Sequence, residues 1–304
     1  MNYLSKLNPE QIKTVQEMSH NLWGADLSLE DRYQKLINLI EYPGPILTMS
    51  GLYDEKGNLV ASLKRYKLSL RCLKKVIPIV GLGSIFTHES FRHRGFGKQL
   101  IDIVLNEERQ LGSEAAILFS DINPDYYQQF QFLKLPALSF QMMVPTLPKA
   151  SRLTLAEHDG DDQRKLIRFY EASFGPKMIR PYRSETLWSF VKESNFTGND
   201  YILSLDGQEV GYLSATQKGE TLFLDEACYP PELDQDFLGL LRAEAPKMGF
   251  GTIRGWHREG QLLSPHKTLL ARPKAVPMIR SLSEFLDLED YPQKSFWFGS
   301  LDHF

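Results

Sequence analysis

The sequence has little cysteine, no long apolar run and no dominant sign of charge. Its two cysteines, Cys72 and Cys228, belong to no CxxC or Cys/His cluster, which favours buried free thiols over a disulfide or a metal site. The longest apolar run, residues 76–86, is too short to span a bilayer and contains proline and glycine. The net charge of -3 gives no overall attraction to nucleic acid or anionic membrane. We therefore expect no metal, no nucleic-acid partner and no membrane association.

Recognised processing and catalytic patterns are also missing. The amino terminus has no apolar core of a signal peptide and no apolar run is long enough to span a bilayer, so we expect a cytoplasmic protein. HExxH, GxSxG and GxxxxGK[ST] motifs are also absent. The 304 residues, 42% of them apolar, suffice for two ordinary domains. Residues 144–150, VPTLPKA, hold two prolines between two periodic regions of similar length. The sequence thus predicts domains at 1–145 and 151–304, and it leaves the oligomeric state open.

Helical and strand patterns alternate in both halves. Apolar spacing predicts helices near 9–22 and 29–41, a helix between Gly97 and Gly112, and a strand at 137–144. Two flanking runs around EKGN predict a hairpin. The basic stretch 64–75 is typical of a solvated strand face, with attraction of phosphate groups or of an acidic acceptor as the alternatives. The second half repeats much of this order, which predicts a mixed α/β architecture on both sides of the linker.

The stretch RHRGFGKQL, residues 92–100, places basic residues around two glycines ahead of an apolar helical pattern. Gly95 and Gly97 permit positive φ and leave the backbone accessible. Free N–H groups at a helix start attract anions, and cationic side chains add charge-assisted contacts. The stretch therefore predicts a phosphate or pyrophosphate site, with an ordinary basic helix start on the surface as the alternative.

The order strand, R-x-x-G-x-G, amphipathic helix, strand and short tyrosine-bearing helix resembles the GNAT acyltransferase superfamily over residues 45–144. The resemblance implies an α/β (α+β) fold with two GNAT-like domains in tandem, each a mixed, mostly antiparallel sheet flanked by helices. It also implies acetyl-CoA as co-substrate, with its pyrophosphate on the motif and its pantetheine arm along the preceding strand. The cofactor-binding residues that it implies are Ile85, Phe86, Thr87, Arg92, His93, Arg94, Gly95, Phe96, Gly97, Lys98 and Asn123.

The family often carries Tyr-x-x-x-Gly-Phe in the short helix. Here Tyr127 and Phe132 match this pattern, while Gln131 stands at the glycine position. The resemblance implies that Tyr127 protonates the departing thiolate as a general acid. Asn123 followed by proline would begin this helix as its N-cap. A packing role for Tyr127, with Tyr126 as the acid, is the alternative.

For the general base, the strand before the motif offers no carboxylate, whereas many relatives have a glutamate there. Some tandem GNAT proteins of the enhanced-intracellular-survival type use their C-terminal carboxylate. This chain resembles them in its two-half layout and final phenylalanine, which makes the carboxylate of Phe304 a candidate base. His88, Glu89 and His303 are the alternatives. We expect the chain to lack the third, sterol-carrier-like domain of those proteins.

The second half offers a comparison, since its strand-to-helix junction reads DEACYPPELDQD, residues 225–236. It has no glycine or arginine and carries five acidic residues, which predicts a degenerate cofactor site. The sequence as a whole predicts an acetyl-CoA-dependent N-acetyltransferase whose amine acceptor attacks the thioester directly in a ternary complex. A non-catalytic acyl-CoA-binding or regulatory protein is the alternative, and a protein using charged tRNA is disfavoured by the intact motif. The acceptor, a small molecule or a peptide or protein lysine, is not specified.

Overall fold

Two mixed sheets flanked by helices make up the chain. The structure, a computed structural model, describes residues 1–23, 27–160, 162–262, 267–284, 286, 288 and 291–304. Its helices are α1 (Pro9–Trp23), α2 (Leu29–Ile40), α3 (Phe96–Gln110), α4 (Asp125–Gln128), α5 (Gln163–Ala172), α6 (Glu185–Asn195) and α7 (Asp234–Glu244). Its strands are β1 (Asn2–Leu4), β2 (Leu47–Tyr53), β3 (Leu59–Cys72), β4 (Lys75–Thr87), β5 (Ala115–Ser120), β6 (Leu133–Lys134), β7 (Leu138–Met143), β8 (Leu153–Glu157), β9 (Arg180–Pro181), β10 (Asn199–Leu205), β11 (Gln208–Lys218), β12 (Thr221–Cys228), β13 (Thr252–Trp256), β14 (Thr268–Ala271) and β15 (Val276–Ser281).

The first sheet has the order β1-β2-β3-β4-β5-β15-β6, and β9 pairs with β3. Strands β4 and β5 are parallel, and the other neighbours are antiparallel. Helix α3 buries its apolar face against β3, β4 and β5, which places its N-terminus beside the end of β4. The predicted helices near 9–22 and 29–41 are confirmed as α1 and α2, which pack on the opposite side with α6.

The second sheet has the order β14-β7-β13-β12-β11-β10-β8, with β12 and β13 parallel. Helix α7 packs on it through Phe237, Leu240 and Leu241. The predicted mixed α/β architecture is therefore present in both sheets.

The first sheet takes β9 and β15 from the second half of the chain, and the second sheet takes β7 from the first half. Strand β15 lies between β5 and β6, and β7 lies between β13 and β14. The strand predicted at 137–144 is thus confirmed, but it pairs in the second sheet. The division into domains at 1–145 and 151–304 stays a prediction. The two sheets do not follow it strictly, because each contains strand residues from the other side of the predicted linker.

The prediction of a solvated strand face at residues 64–75 is wrong at its centre. Arg65 is buried, and its guanidinium pairs with Glu107 at 2.8 Å and with the neighbouring Glu108 of α3. Leu70 is also fully buried. Arg65 therefore attaches β3 to α3, whereas Lys67, Lys74 and Lys75 of this stretch are exposed.

Candidate active site

Strands β4 and β5 separate in the middle of the first sheet. They pair from Ile79–Ala115 to Leu82–Leu118 and diverge beyond that point. Gly83 pairs with Lys64 of β3 and Phe86 with Ser62, so two β4 residues lie opposite one residue of β3. This bulge contains Ser84, whose φ of 45° lies in the left-handed region. The β5-facing edge of the predicted pantetheine strand, Ile85–Thr87, consequently has no strand partner among the described residues.

The N-terminus of α3 is open to an anion. Gly95 is the N-cap with φ 79°, and the first turn carries no acidic residue. Gln99 N–H donates to Gly95 O at 2.9 Å, so the N–H groups of residues 96–98 precede the first helical bond. The helix dipole adds partial positive charge there. Three cationic side chains and one imidazole surround this start and are exposed to solvent: Arg92, Arg94, Lys98 and His93.

The helix start lies directly against the end of β4. Gly97 is buried, and a Cβ at this position would lie 2.9 Å from Thr87 Oγ1 and 3.5 Å from the Tyr126 hydroxyl. Arg92 Nε donates to Thr87 O at 3.2 Å. Phe96, the first residue of α3, lies under the Arg94 guanidinium, 5.2 Å from it. The open edge of β4 and the anion-accepting helix start therefore form one continuous backbone surface, and glycine is required where the two approach.

Tyr127 is placed differently from Tyr126. Its side chain is 8% exposed and packs among the aromatic rings beside α3, while Tyr126 is exposed and its hydroxyl lies 3.5 Å from the place that a Cβ of Gly97 would take. Burial, with smaller contributions from Tyr126 and Asp121, raises the pKa of Tyr127 to about 12. The phenol is thus a neutral proton donor at physiological pH.

The short helix that carries Tyr127 begins and ends with specific backbone features. Asn123 Oδ1 accepts from Asp125 N–H at 3.0 Å, but the helix begins one residue later than predicted, with Pro124 and not Asn123 as the N-cap. Gln131 has φ 63°, so it adopts the left-handed conformation that the family's glycine would take without strain. Asn123 lies on the loop between β5 and α4.

Phe304 lies on the face of β4 opposite α3, near the point where β4 and β5 stop pairing. Its ring packs on Tyr66 and on Phe119, with centroids 4.4 Å and 5.4 Å away. Its main-chain oxygen is 3.2 Å from the place that a Cβ of Gly83 would take. Gly81 leaves room for the ring in the same way. Two alternating glycines on one strand face were the signal in the sequence for this close approach.

Of the other candidate bases, His303 lies near the gap between β4 and β5, whereas His88 and Glu89 lie on the turn after β4. His303 packs on Phe119 and Trp256, and burial lowers the pKa of its imidazole. His88 Nδ1 accepts from Ser90 N–H and so caps the turn after β4. Glu89 is exposed on that turn. The structure thus brings Phe304 and His303 to the gap between β4 and β5, and places His88 and Glu89 beyond it.

A buried ionic cluster that sequence reasoning missed holds the last residues in place. Arg183 donates to Asp302 at 2.7 and 3.1 Å and to Glu226 at 2.9 and 3.0 Å, and all three side chains are buried. Tyr212 donates its hydroxyl to Glu226, and Gly299 N–H donates to Asp302 at 2.8 Å. Glu226 is therefore a structural ion-pair partner, whereas the sequence suggested only an anion-repelling charge.

The corresponding helix in the second half, α7, carries two carboxylates in its first turn, Asp234 and Asp236. Asp234 accepts from the Tyr229 hydroxyl at 2.8 Å and from Leu262 N–H at 2.9 Å. Asp236 accepts from the backbone N–H and guanidinium of Arg152. Negative side chains at a helix N-terminus repel a further anion, so α7 differs from α3 in the way its sequence suggests.

The comparisons with known proteins agree with this geometry. Residues 6–134 match the family model of the acetyltransferase (GNAT) domain. A probable N-acyltransferase from Enterococcus faecalis V583 superposes with a TM-score of 0.75 at 13% identity, over 93% of this chain and 73% of that one. Eis1 from Mycobacterium abscessus gives 0.62 at 13% identity, over 93% and 74%. A tandem GNAT protein from the clavulanic acid biosynthesis pathway gives 0.58 at 10% identity, over 93% and 98%. No curated protein matches the sequence.

These findings confirm the predicted relationship to GNAT acyltransferases and the tandem GNAT-like fold. Within the residues that the structure describes, no three His, Cys, Asp or Glu side chains are grouped to hold a metal ion. No helix in that part of the chain is long and apolar enough to cross a bilayer.

Proposed function

We propose that this chain, a GNAT acyltransferase by its domain at residues 6–134, uses acetyl-CoA to acetylate an amine. The observation that carries the proposal is the continuous backbone surface formed by the open edge of β4 and the start of α3. Gly95 and Gly97 leave the backbone N–H groups at the start of α3 uncovered, which fits a pyrophosphate. A side chain at either position would fill the space beside these N–H groups or block them.

In this proposal Ile85, Phe86 and Thr87 hold the pantetheine arm by strand-like pairing. Residues 92–98 hold the phosphates through backbone N–H groups and charge-assisted contacts. Asn123 shapes the loop that closes the site beyond β5. The bound co-substrate supplies an acetyl thioester, and the gap between β4 and β5 is where that thioester would meet the acceptor.

The protein's own groups then move two protons. The acceptor nitrogen forms a bond to the carbonyl carbon as the carbon–sulfur bond breaks, and the nitrogen loses one proton. The carboxylate of Phe304 accepts that proton, because it lies at Gly83 beside the gap. Tyr127 donates its phenolic proton to the departing sulfur, for which its raised pKa keeps it protonated.

Residues 151–304 have a different role in this proposal. They bind no coenzyme A and instead close the acceptor side and anchor Phe304 through Arg183. We place the protein in the cytoplasm, in keeping with its two buried free thiols, Cys72 and Cys228.

The rival function is a non-catalytic acyl-CoA-binding protein, which the packing of Tyr127 among aromatic rings favours. Thiol release from acetyl-CoA in the presence of an amine panel separates the two functions. We expect Tyr127→Phe to lower kcat by roughly 10²–10⁴-fold at unchanged coenzyme A affinity, with Tyr126→Phe as the matched control that retains activity. Coenzyme A binding without thiol release for any amine would favour the rival.

A further inference from the structure

A cavity of about 200 Å³ lies between α1, α2, β3 and α6 on the face of the first sheet opposite α3. Its polar lining includes Arg32, Lys35 and Lys64, and its apolar wall includes Tyr66, Phe190 and Phe304. Arg32 and Lys35 of α2 thus share one concave site with Lys64 of β3, and no Asp or Glu side chain lines it.

None of these three cations forms an ion pair with any described residue. Arg32 donates through Nη2 to Ser19 Oγ at 3.2 Å, while its Nη1 is buried without a hydrogen-bond partner. Burial, with smaller contributions from the charges of Arg32 and Lys35, lowers the pKa of Lys64 to about 8. Mutually repelling charges at a partly buried site are unfavourable unless an anion joins them.

The nearest acidic side chains do not neutralise the cavity. Asp31 and Glu193 are exposed and line a separate depression on the outer side of Lys35. Asp31 is engaged in capping α2, where it accepts from the Ser28 hydroxyl at 2.6 Å. Lys35 lines both sites, whereas Arg32 and Lys64 line only the cavity, where no Asp or Glu side chain lies beside them.

The cavity reaches the proposed reaction point. Lys64 is the cross-strand partner of Gly83, and Tyr66 is the partner of Gly81, so all four residues lie on one face of the sheet. Tyr66 Cε2 is 3.1 Å from the place that a Cβ of Gly83 would take. A molecule held by Lys64 and Arg32 would extend toward the gap between β4 and β5 and the Phe304 carboxylate.

We propose that this cavity binds an anionic oxygen group of the acceptor, so that the substrate is an amine carrying a carboxylate or a phosphate. The apolar wall of Tyr66 and Phe190 would contact the body of the molecule, and the three cations would exclude polycationic amines. This inference rests on the proposed acetyltransferase function and identifies its acceptor class.

The activity test compares matched acceptors that differ only in the anion. L-phenylalanine is compared with L-phenylalaninamide, and phosphoethanolamine with ethanolamine, so the two pairs distinguish a carboxylate from a phosphate. We expect kcat/KM for one of the anionic members to exceed that of its neutral partner by on the order of 10- to 100-fold, the usual contribution of a charge-assisted hydrogen bond. Equal or better use of both neutral partners would overturn the proposal.

Variants assign the preference to the cavity. Lys64→Met and Arg32→Gln should each reduce the anion preference on the order of tenfold or more, through KM, while transfer to the neutral partner is kept. Lys67→Met removes an exposed lysine of the same strand outside the cavity and should leave the preference unchanged. A preference that survives both cavity substitutions would refute the assignment.

A binding test keeps the inference separate from catalysis. Calorimetry with N-acetyl-L-phenylalanine and its amide, and with N-acetylphosphoethanolamine, needs no turnover. We expect at least one anion to bind with higher affinity than the neutral amide, and Lys64→Met to abolish the difference. If no amine is acetylated but the anion binds with higher affinity than the neutral amide, the proposed function fails and the anion site stands. If amines are acetylated but the anion and the amide bind equally, the anion site fails.

Discussion

The ring of Phe304 packs on the ring of Tyr66 with centroids 4.4 Å apart and planes inclined by 37°. Tyr66 belongs to β3 of the first sheet, and Phe304 arrives from the second half of the sequence, held by Asp302 and Arg183. This contact joins the anchored tail to the face of β4 that carries Gly81 and Gly83. The two halves therefore meet where we place the acetyl transfer.

Gly81 leaves the space that the Phe304 ring occupies. A Cβ at this position would overlap that ring and come within 3.0 Å of Leu68 Cδ1, so Gly81→Ala should displace Phe304. We expect a loss of about 1–3 kcal/mol in the free energy of unfolding and a lower kcat, since overpacking a buried site forces shifts. Coenzyme A affinity should persist, because that site lies on the other side of β4. Gly175→Ala is the control, since nothing lies within 4 Å of its added Cβ.

The ion pair between Arg183 and Asp302 positions the tail. Asp302→Ala should lower the free energy of unfolding by about 3–5 kcal/mol, because it removes one partner from a buried charge network. It should also lower kcat more than coenzyme A affinity, since the tail carries Phe304. Urea denaturation and steady-state kinetics measure the two effects. Lys247→Ala, which removes an exposed pair with Glu244, should change neither. Wild-type kinetics in a stably folded Asp302→Ala protein would separate the tail from catalysis.

Gln131 holds a left-handed backbone conformation with φ 63°. A non-glycine residue there costs about 1–2 kcal/mol, part of which glycine loses again through its greater freedom in the unfolded chain. We therefore expect Gln131→Gly to raise the free energy of unfolding by about 0.5–1 kcal/mol. Gln129→Gly changes a right-handed residue with φ -61° and should lower it instead. A destabilised Gln131→Gly protein would show that the Gln131 side chain contributes more than the strain costs.

The local patterns of the sequence predicted most helices and strands and the anion-accepting start of α3, because apolar periodicity and glycine placement act over short distances. The exchange of β7 and β15 could not be predicted, since a short strand does not specify its partner. The cavity could not be predicted either, because Arg32 and Lys35 lie on a helix and Lys64 lies on a strand. The sequence predicted a solvated face for the stretch that contains Lys64. Phe304 was found only through a resemblance, although Gly81 and Gly83 already indicated a close approach.

The affinity of the cationic cavity for anions should also depend on pH, through the charge of Lys64. The other titratable or charged groups that line the cavity are Arg32, Lys35, Tyr66 and the Phe304 carboxylate. Because the pKa of Lys64 is lowered to about 8, its positive charge is present below this pH and is lost above it. The affinity for an anion such as N-acetyl-L-phenylalanine should therefore fall as the pH rises through about 8. Calorimetry across this range should show the fall in the wild type and not in Lys64→Met.

The unfolded lysine titrates near 10.5, so charge on Lys64 opposes folding at neutral pH, and Lys64→Met should raise Tm by a few degrees.

The central claim is that the chain has one coenzyme A site, at the start of α3, and it is tested most directly by titration calorimetry with coenzyme A. We expect one molecule per wild-type chain. Gly95→Glu and Gly97→Glu should abolish binding, because they place a side chain and a negative charge where the phosphates would lie. Asp236→Asn at the start of α7 should leave the affinity unchanged. Two equivalent sites per chain, or full binding by both glycine variants, would contradict the account.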